Sequence, residues 1–492
     1  MNINEYRAQI ERTIEKGKYK DTWESLCKYE SPLWYRDAKF GIFIHWGIYS
    51  VPAFGSEWYS RNMYKKGSSA YEHHITTYGT HKEFGYKDFI PMFRGEHFDA
   101  EEWMRLIAQS GAKYVVPVAE HHDGFQMYKS ELSRWNSYEM GPKRDVLLEL
   151  KKAAEKYGIK SCLSTHRLEH WFFMGNGRLF ESDINDDVNR EDIYWPSCNP
   201  DPDFNDVTGG LAPSDEFLDD WLIRTCELID KYDPELIYFD WWIHHESVKP
   251  WLRKIAAYYY DRAIDRGKEV VINYKYDAFA FGSAVIDMER GQFSNVRPYV
   301  WQSCTSVAKN SWGYTHKNEY KDAKDLVCDL IDIVSKNGCM LLNIDPMADG
   351  TIPEPTRRIL ECIGAWLSVN GEAIFGSRPW RIYGEGDVKV ADGQFSDCGR
   401  RSYTAGDIRY TVNNGAIYAM PLATSDNGEY KLKAFALCED VDSVNAFLGI
   451  IRDIILLNTG EGVRFERNNE CMRILTERYF DEMPPVFKII TE

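Results

Sequence analysis

Asp240 closes the run Pro234-Glu235-Leu236-Ile237-Tyr238-Phe239-Asp240 and is followed at once by Trp241 and Trp242. A short apolar run after a proline reads as a buried strand, which places the carboxylate at its C-terminal end. A core strand has no use for a terminal carboxylate bordered by indoles. A sugar site does, because indole faces stack on the C–H surface of a pyranose while a carboxylate reacts at the anomeric carbon. A capping or turn aspartate among interface aromatics accounts for these residues equally well. The other polar clusters decide between the two.

Phe43-Ile44-His45-Trp46-Gly47 leads to Ser56-Glu57-Trp58-Tyr59. His45 and Glu57 can bind hydroxyls, and Trp46 or Trp58 can stack, although a satisfied histidine among core aromatics is the plainer reading. In Glu120-His121-His122-Asp123-Gly124-Phe125 adjacent histidines cannot share one strand face, so one faces a site and the other braces it. Ligating pairs usually stand three or four residues apart on a helix, so no metal is expected. His73 and His74 read as loop surface. Ser164 to Trp171 holds His166, Arg167, Glu169 and His170, read either as substrate contacts or as a loop salt bridge such as Arg167 with Glu169.

Glycoside hydrolysis needs a second carboxyl group held neutral near pH 7. Asp287-Met288-Glu289-Arg290-Gly291 supplies it. Glu289 is the first choice and Asp287 its competitor. Arg290 would oppose a neutral acid if it pointed at Glu289, so it is expected to point away, and Gly291 to let the backbone turn. Trp301-Gln302 and Ser311-Trp312-Gly313-Tyr314 add aromatics, with Trp312 able to stack. Asn343 reads as a fixed turn or supporting residue.

From Phe40 to Val369 apolar runs alternate with amphipathic segments. The runs are Phe40–Trp46, Tyr114–Ala119, Lys160–Ser164, Leu236–Asp240, Val270–Tyr274, Ala284–Asp287, Tyr299–Gln302 and Met340–Ile344. Helical periodicity covers Ala100–Ser110, Val146–Tyr157, Asp215–Lys231, Pro250–Arg266, Lys321–Ser335 and Pro353–Val369. Eight strands alternating with helices predict a (β/α)8 barrel. Polar residues then sit at the successive strand exits: His45, His121 with His122, His166, Asp240, Lys275, Glu289, Gln302 and Asn343. That rim is where such barrels gather catalytic groups from several strands.

Beyond Trp380 short β-rich segments, among them Arg409–Val412, Ala416–Ala419, Tyr430–Phe435 and Val486–Ile490, alternate with Asn-Gly turns. They predict an antiparallel β-sandwich. The expected division is a catalytic barrel over 1–378 and a sandwich over 379–492. The 492 residues are too many for one ordinary core. A formal charge of −17 disfavours nucleic acid and anionic membranes as partners. No apolar stretch is long enough for a span, and the N-terminus has no apolar signal region. Eleven cysteines without CxxC pairs read as reduced thiols, so a cytoplasmic location is expected unless a signal was removed. No GxGxxG or Walker motif points to a nucleotide, and no cofactor is expected.

The chain resembles the α-L-fucosidases of glycoside hydrolase family 29 in Trp34 to Gly47, Glu57-Trp58-Tyr59, Lys113 to Phe125, Leu236 to Asp240, Ser311 to Tyr314, Ser335 to Trp366 and Asn370 to Ala373. The resemblance implies a retaining exo-hydrolase that removes terminal α-L-fucose from fucosylated glycans. It implies Asp240 as nucleophile and Glu289 as acid/base, and His45, Glu57, Trp58, His121 and His122 as sugar-binding residues. Tyr238 stands where many members carry Trp, and Lys275 where others carry Arg. His166 and Trp312 complete the expected substrate contacts. The family's frequent Lys before His-His is Glu120 here, its Asn-x-Gly-Pro is Asn343-Ile344-Asp345-Pro346, and the Trp241-Trp242 pair is not general. A fucose-binding barrel without turnover and a retaining galactosidase on the same scaffold are the alternative readings.

Overall fold

The computed structural model describes residues 3–184, 188–397, 402–437, 447–476 and 482–492. Eight parallel strand positions close into a barrel: β1 (Phe40–Ile44), β2 (Tyr114–Glu120), β3 (Lys160–Ser161 continued by Leu163–Thr165), β4 (Leu236–Phe239), β5 (Val271–Lys275), β6 (Val285–Glu289), β7 (Trp301–Ser306) and β8 (Gly338–Ile344). Closure comes from β1, which pairs in parallel with both β2 and β8. Helices α1 (Ala100–Gln109), α2 (Val146–Lys156), α3 (Asp215–Tyr232), α4 (Lys249–Asp265), α5 (Ala323–Ser335) and α6 (Glu354–Asn370) follow β1, β2, β3, β4, β7 and β8. No helix joins β5 to β6 or β6 to β7, so the alternation is incomplete on that side.

The two-residue period of each strand divides its side chains between the barrel interior and the helix layer. In β4, Leu236 and Tyr238 face the interior cluster while Ile237 and Phe239 pack under the helices. Asp240 continues the interior row, which is why it emerges at the mouth. In β2 the pairing with β3 shifts between Val118 and Glu120. An extra residue at such a bulge re-aims the side chains beyond it. Glu120 turns to the helix side, where its Oε1 accepts from Arg167 at 2.7 Å and from Arg224 on α3 at 3.4 Å.

The C-terminal part is antiparallel. Strands Arg378–Glu385, Ile408–Asn413, Ala416–Pro421, Phe487–Thr491, Ile451–Leu456 and Glu461–Gly462 form one sheet in that spatial order. Glu429–Leu432, Met472–Leu475 and Arg464–Arg467 form a second. Ile417 and Ala419 fill the core between the sheets, whereas Tyr418 and Met420 belong to the core shared with the barrel's helices. One strand thus serves two interfaces by alternation. A fully buried Asp332 on α5 binds both Lys336 and Arg409 across the junction.

Several expectations are corrected. His73 and His74 lie in helix Ser69–Tyr78, not a loop; His74 is buried against the Tyr59 hydroxyl at 3.1 Å, and His73 stacks on Phe54. Trp46 packs in the core with Phe93, Phe98 and Trp103. Gln302 is no strand exit: β7 runs on to Ser306, and Gln302 lies deep in the barrel on the Tyr35 and Tyr114 hydroxyls. Among the described residues, no helix is long and apolar enough to cross a membrane.

Candidate active site

A cavity of about 540 Å³ opens at the C-terminal ends of the strands. Its wall includes Phe43, His45, Glu57, Trp58, His121, His122, His166, Tyr238, Asp240, Lys275, Glu289 and Trp312. Every expected site residue is therefore brought to one place. Asp287, the competitor of Glu289, is not.

Asp240 is held from three sides. Lys275 Nζ donates to its Oδ1 at 2.6 Å. His166 Nδ1 and His122 Nε2 lie 2.9 and 3.2 Å from Oδ2. Burial alone would raise this carboxyl, but Lys275, His166 and His122 outweigh it and hold the group well below the ordinary carboxylate range. An ionised carboxylate only accepts, so His166 carries its proton on Nδ1, and its Nε2 accepts from the Ser164 hydroxyl at 3.1 Å. His122 Nδ1 stands 3.0 Å from both the His166 carbonyl and Glu169 Oε2. Burial works against its charge, yet Glu169 and Asp240 raise its pKa to about 10, so both ring nitrogens donate.

Lys275 Nζ also donates to Glu289 Oε2, at 2.5 Å. The two carboxylate oxygens that share one ammonium cannot be further apart than two such bonds end to end, about 5 Å, which is short of the roughly 6.5–9.5 Å of inverting glycosidases and compatible with the closer pair of retaining ones. Burial raises the Glu289 carboxyl; Lys275 opposes the rise and the charge on Asp240 adds to it. Arg290 turns away and donates to the carbonyls of Ala308, Lys309 and Ser311. The left-handed turn falls on Arg290 itself, at φ 45°, and not on Gly291. Asp287 sits one interior layer below Glu289. Its oxygens are taken by Gln302 at 2.8 Å, the Tyr238 hydroxyl at 2.9 Å and the Cys304 thiol at 3.0 Å, and burial pushes its pKa up to about 6.

The rest of the wall is set by braces. Asn343 uses its Nδ2 on the Trp312 carbonyl at 2.7 Å and Ser306 Oγ at 3.0 Å, so its Oδ1 accepts from His45 Nδ1 at 2.7 Å. That leaves His45 Nε2 as the acceptor. Burial lowers the pKa values of His45 and His121, which keeps both imidazoles neutral. Glu57 Oε2 accepts from Trp312 N at 2.8 Å and Ser311 Oγ at 3.0 Å, fixing the loop that carries Trp312. Trp312 in turn lies under the Arg290 guanidinium, 4.8 Å from its ring centre. Trp58 stacks on Trp241 at 6.0 Å. The Tyr238 hydroxyl is committed to Asp287, so only its ring can meet a ligand.

The expected Arg167–Glu169 pair does not form. Arg167 binds Glu120 and Asp220, Glu169 binds His122, and Trp171 is core, so of that loop only His166 lines the cavity. Sequence reasoning missed Glu169 as the partner that charges His122, and Phe43 as part of the floor. Nothing in their spacing marks either one. Two triads, His45–His121–His166 and His122–His166–Asp240, bring donor atoms within 4.8 Å of one another. The second contains the His122 imidazolium and abuts the Lys275 ammonium, both of which repel a cation. In the first, both His166 nitrogens are already engaged.

A closed parallel barrel whose rim joins two carboxyl groups beneath aromatic walls is the architecture of a glycoside hydrolase. The sequence profile of the α-L-fucosidase family matches residues 7–372, and the chain belongs to that family. It is 31% identical over 424 residues to the tissue α-L-fucosidase of Rattus norvegicus, covering 85% of this chain and 81% of the relative. To the α-L-fucosidase of Dictyostelium discoideum it is 31% identical over 439 residues, with 84% and 83% covered. The crystal structure of Thermotoga maritima α-fucosidase in complex with fucose superposes with a TM-score of 0.74 at 27% identity, over 96% of this chain and all of the other.

Proposed function

We propose that the protein releases terminal α-L-fucose from fucosylated glycans with retention of configuration, Asp240 acting as nucleophile and Glu289 as acid/base. The observation that carries this reading is the single Lys275 ammonium bound to both carboxyl groups, which keeps their bonded oxygens no more than about 5 Å apart on one cavity floor. Asp240 Oδ forms a bond to C1 of the sugar as the C1–O bond breaks. The electron pair of that bond passes to the leaving oxygen, which takes the Glu289 proton. Glu289, now a carboxylate, removes a proton from water. The water oxygen bonds to C1 and the ester to Asp240 breaks, regenerating both groups.

The environments suit these roles. Asp240 is held ionised by its three cationic or donating neighbours, and burial together with the charge on Asp240 raises Glu289 towards its protonated form, with Lys275 opposing. His45 Nε2, His121 and Glu57 face the sugar hydroxyls, and Trp58 or Trp312 takes the apolar 6-methyl edge. Both oxygens of Asp287 are occupied inside the barrel, which favours Glu289 over it as the acid. The test is trapping. Incubation with a 2-deoxy-2-fluoro fucosyl donor should add one sugar mass to the peptide that contains Asp240. An adduct on another peptide, or fucose released with inverted configuration, ends the assignment.

A further inference from the structure

One residue of the cavity wall comes from outside the span matched by the family profile, which ends at residue 372. Phe395 lines the cavity, is 61% exposed and has a left-handed backbone at φ 55°. An exposed phenyl on a backbone that disfavours a Cβ is an outlier that calls for a reason. Its position is closely specified. Gly393 N donates to Gln292 O at 3.2 Å, Phe395 N to Glu289 O at 2.8 Å, and the amides of Ser396 and Asp397 to Arg290 O at 2.7 and 2.9 Å. Asp397 is tied to the barrel by the Thr305 hydroxyl at 2.9 Å and Lys321 Nζ at 2.5 Å. Gly291 makes this approach possible, since a Cβ there would lie 1.9 Å from the Gly393 carbonyl oxygen. The glycine two residues after Glu289 thus serves close contact by a distant segment.

The placement relative to the reaction gives the reason. The oxygen that leaves fucose takes its proton from Glu289, so whatever it belongs to must rise from the end of β6. Phe395 is bonded through its amide to the carbonyl of that same glutamate. At the neighbouring strand end Tyr276 follows Lys275, also left-handed at φ 53° and also on the cavity wall. Trp241 follows Asp240, and Phe204 joins the Trp241 and Tyr276 rings at 4.6 and 5.1 Å. Aromatic side chains therefore stand at three successive strand ends, β4 to β6, on the side from which the leaving group departs.

We infer that Phe395, with Tyr276, is the platform on which the sugar bearing the fucose stacks, so that the site selects fucose attached to a further pyranose over small fucosides. The inference rests on Glu289 as the acid. It is tested with two donors: α-L-fucosyl fluoride, whose leaving group is one atom and needs no platform, and the best fucosyl-oligosaccharide from a panel of linkages. In Phe395→Ala the ratio of kcat/KM for the oligosaccharide to that for the fluoride should fall about tenfold, with the change mainly in KM. Phe395→Tyr, which keeps an aromatic face, should restore most of it. An unchanged ratio overturns the inference, whether both values hold or both fall together as they would after local disordering. Wild-type protein that releases fucose from neither donor overturns the underlying assignment with it, whereas turnover of both with an indifferent Phe395→Ala overturns only the platform.

Discussion

The floor of the cavity and its rim are built by opposite means. On the floor, each proposed reacting group ends an interior row of a barrel strand and is fixed by short polar contacts. Asp240 has three such contacts, and His45 is fixed through Asn343. On the rim, Trp241, Phe204, Tyr276 and Phe395 sit on loops, held by one another's rings or by backbone hydrogen bonds. Bond-making needs atoms placed to within a few tenths of an ångström, which strand ends and charged contacts provide. Recognition of a leaving group needs only a correctly placed apolar face, which a loop from a remote part of the chain supplies.

The sharpest break in this contrast is Asp240→Asn. Loss of the proposed covalent nucleophile should lower kcat for fucose release by roughly three to five orders of magnitude. A loss of only tenfold would mean that the floor is not where the bond is made. Next in size is Glu289→Gln, expected to cost roughly 10²- to 10⁴-fold in kcat/KM on an oligosaccharide. Fucosyl fluoride needs no acid and should lose far less, so equal losses would move the acid elsewhere.

The same pair sets the pH profile. Asp240 is depressed, so the acidic limb of kcat/KM should lie below the ordinary carboxylate range. Glu289 is raised, so activity should fall as pH climbs through its elevated pKa. Lys275→Met removes a positive charge from both carboxyl groups and should move both limbs upward. A profile that stays in place would show that the shared ammonium does not set their ionisation.

The smallest effect on turnover is expected at Asp332, in the junction between barrel and sandwich. Asp332→Ala leaves Lys336 and Arg409 buried without their common anion, a cost of about 3–5 kcal/mol seen as a lower melting temperature with KM unchanged. The Asp332 carboxyl is buried, but Lys336 and Arg409 depress its pKa, so its contribution is present above the unfolded carboxyl pKa and is lost as pH falls through the folded value. A change in KM comparable to that of a floor residue would erase the distinction between regions that react and regions that only hold.

Much of this was legible from residue order. The apolar runs mark the barrel strands to within a few residues, except where β7 continues past Gln302 to Ser306 through the polar residues Ser303, Thr305 and Ser306. Hydrophobic patterning cannot see a strand that carries polar side chains on both faces, here Gln302 and Ser306 inward and Ser303 and Thr305 outward. The ladder of strand-end residues was legible for the same reason the barrel was, since period-two alternation brings every second residue inward. It failed at Gln302, which lies inside β7 and not at its end. The outward turn of Glu120 at the β2 bulge carried no mark in the sequence, and the ion pairs of Arg167 could not be assigned because their partners lie 47 and 53 positions away.

Chain order alone established a carboxylate at a strand exit among indoles, a second one on another strand, and a parallel barrel to join them, because these follow from local periodicity. Folding in three dimensions decided the rest. It set Glu289 on the cavity wall and Asp287 one layer below it in the barrel interior, made His122 a cation through Glu169, and brought Phe395 to the rim from beyond residue 372. Each of those outcomes depends on distances between groups far apart in the chain, and electrostatic and packing energies are set by distance in space, not by separation in sequence.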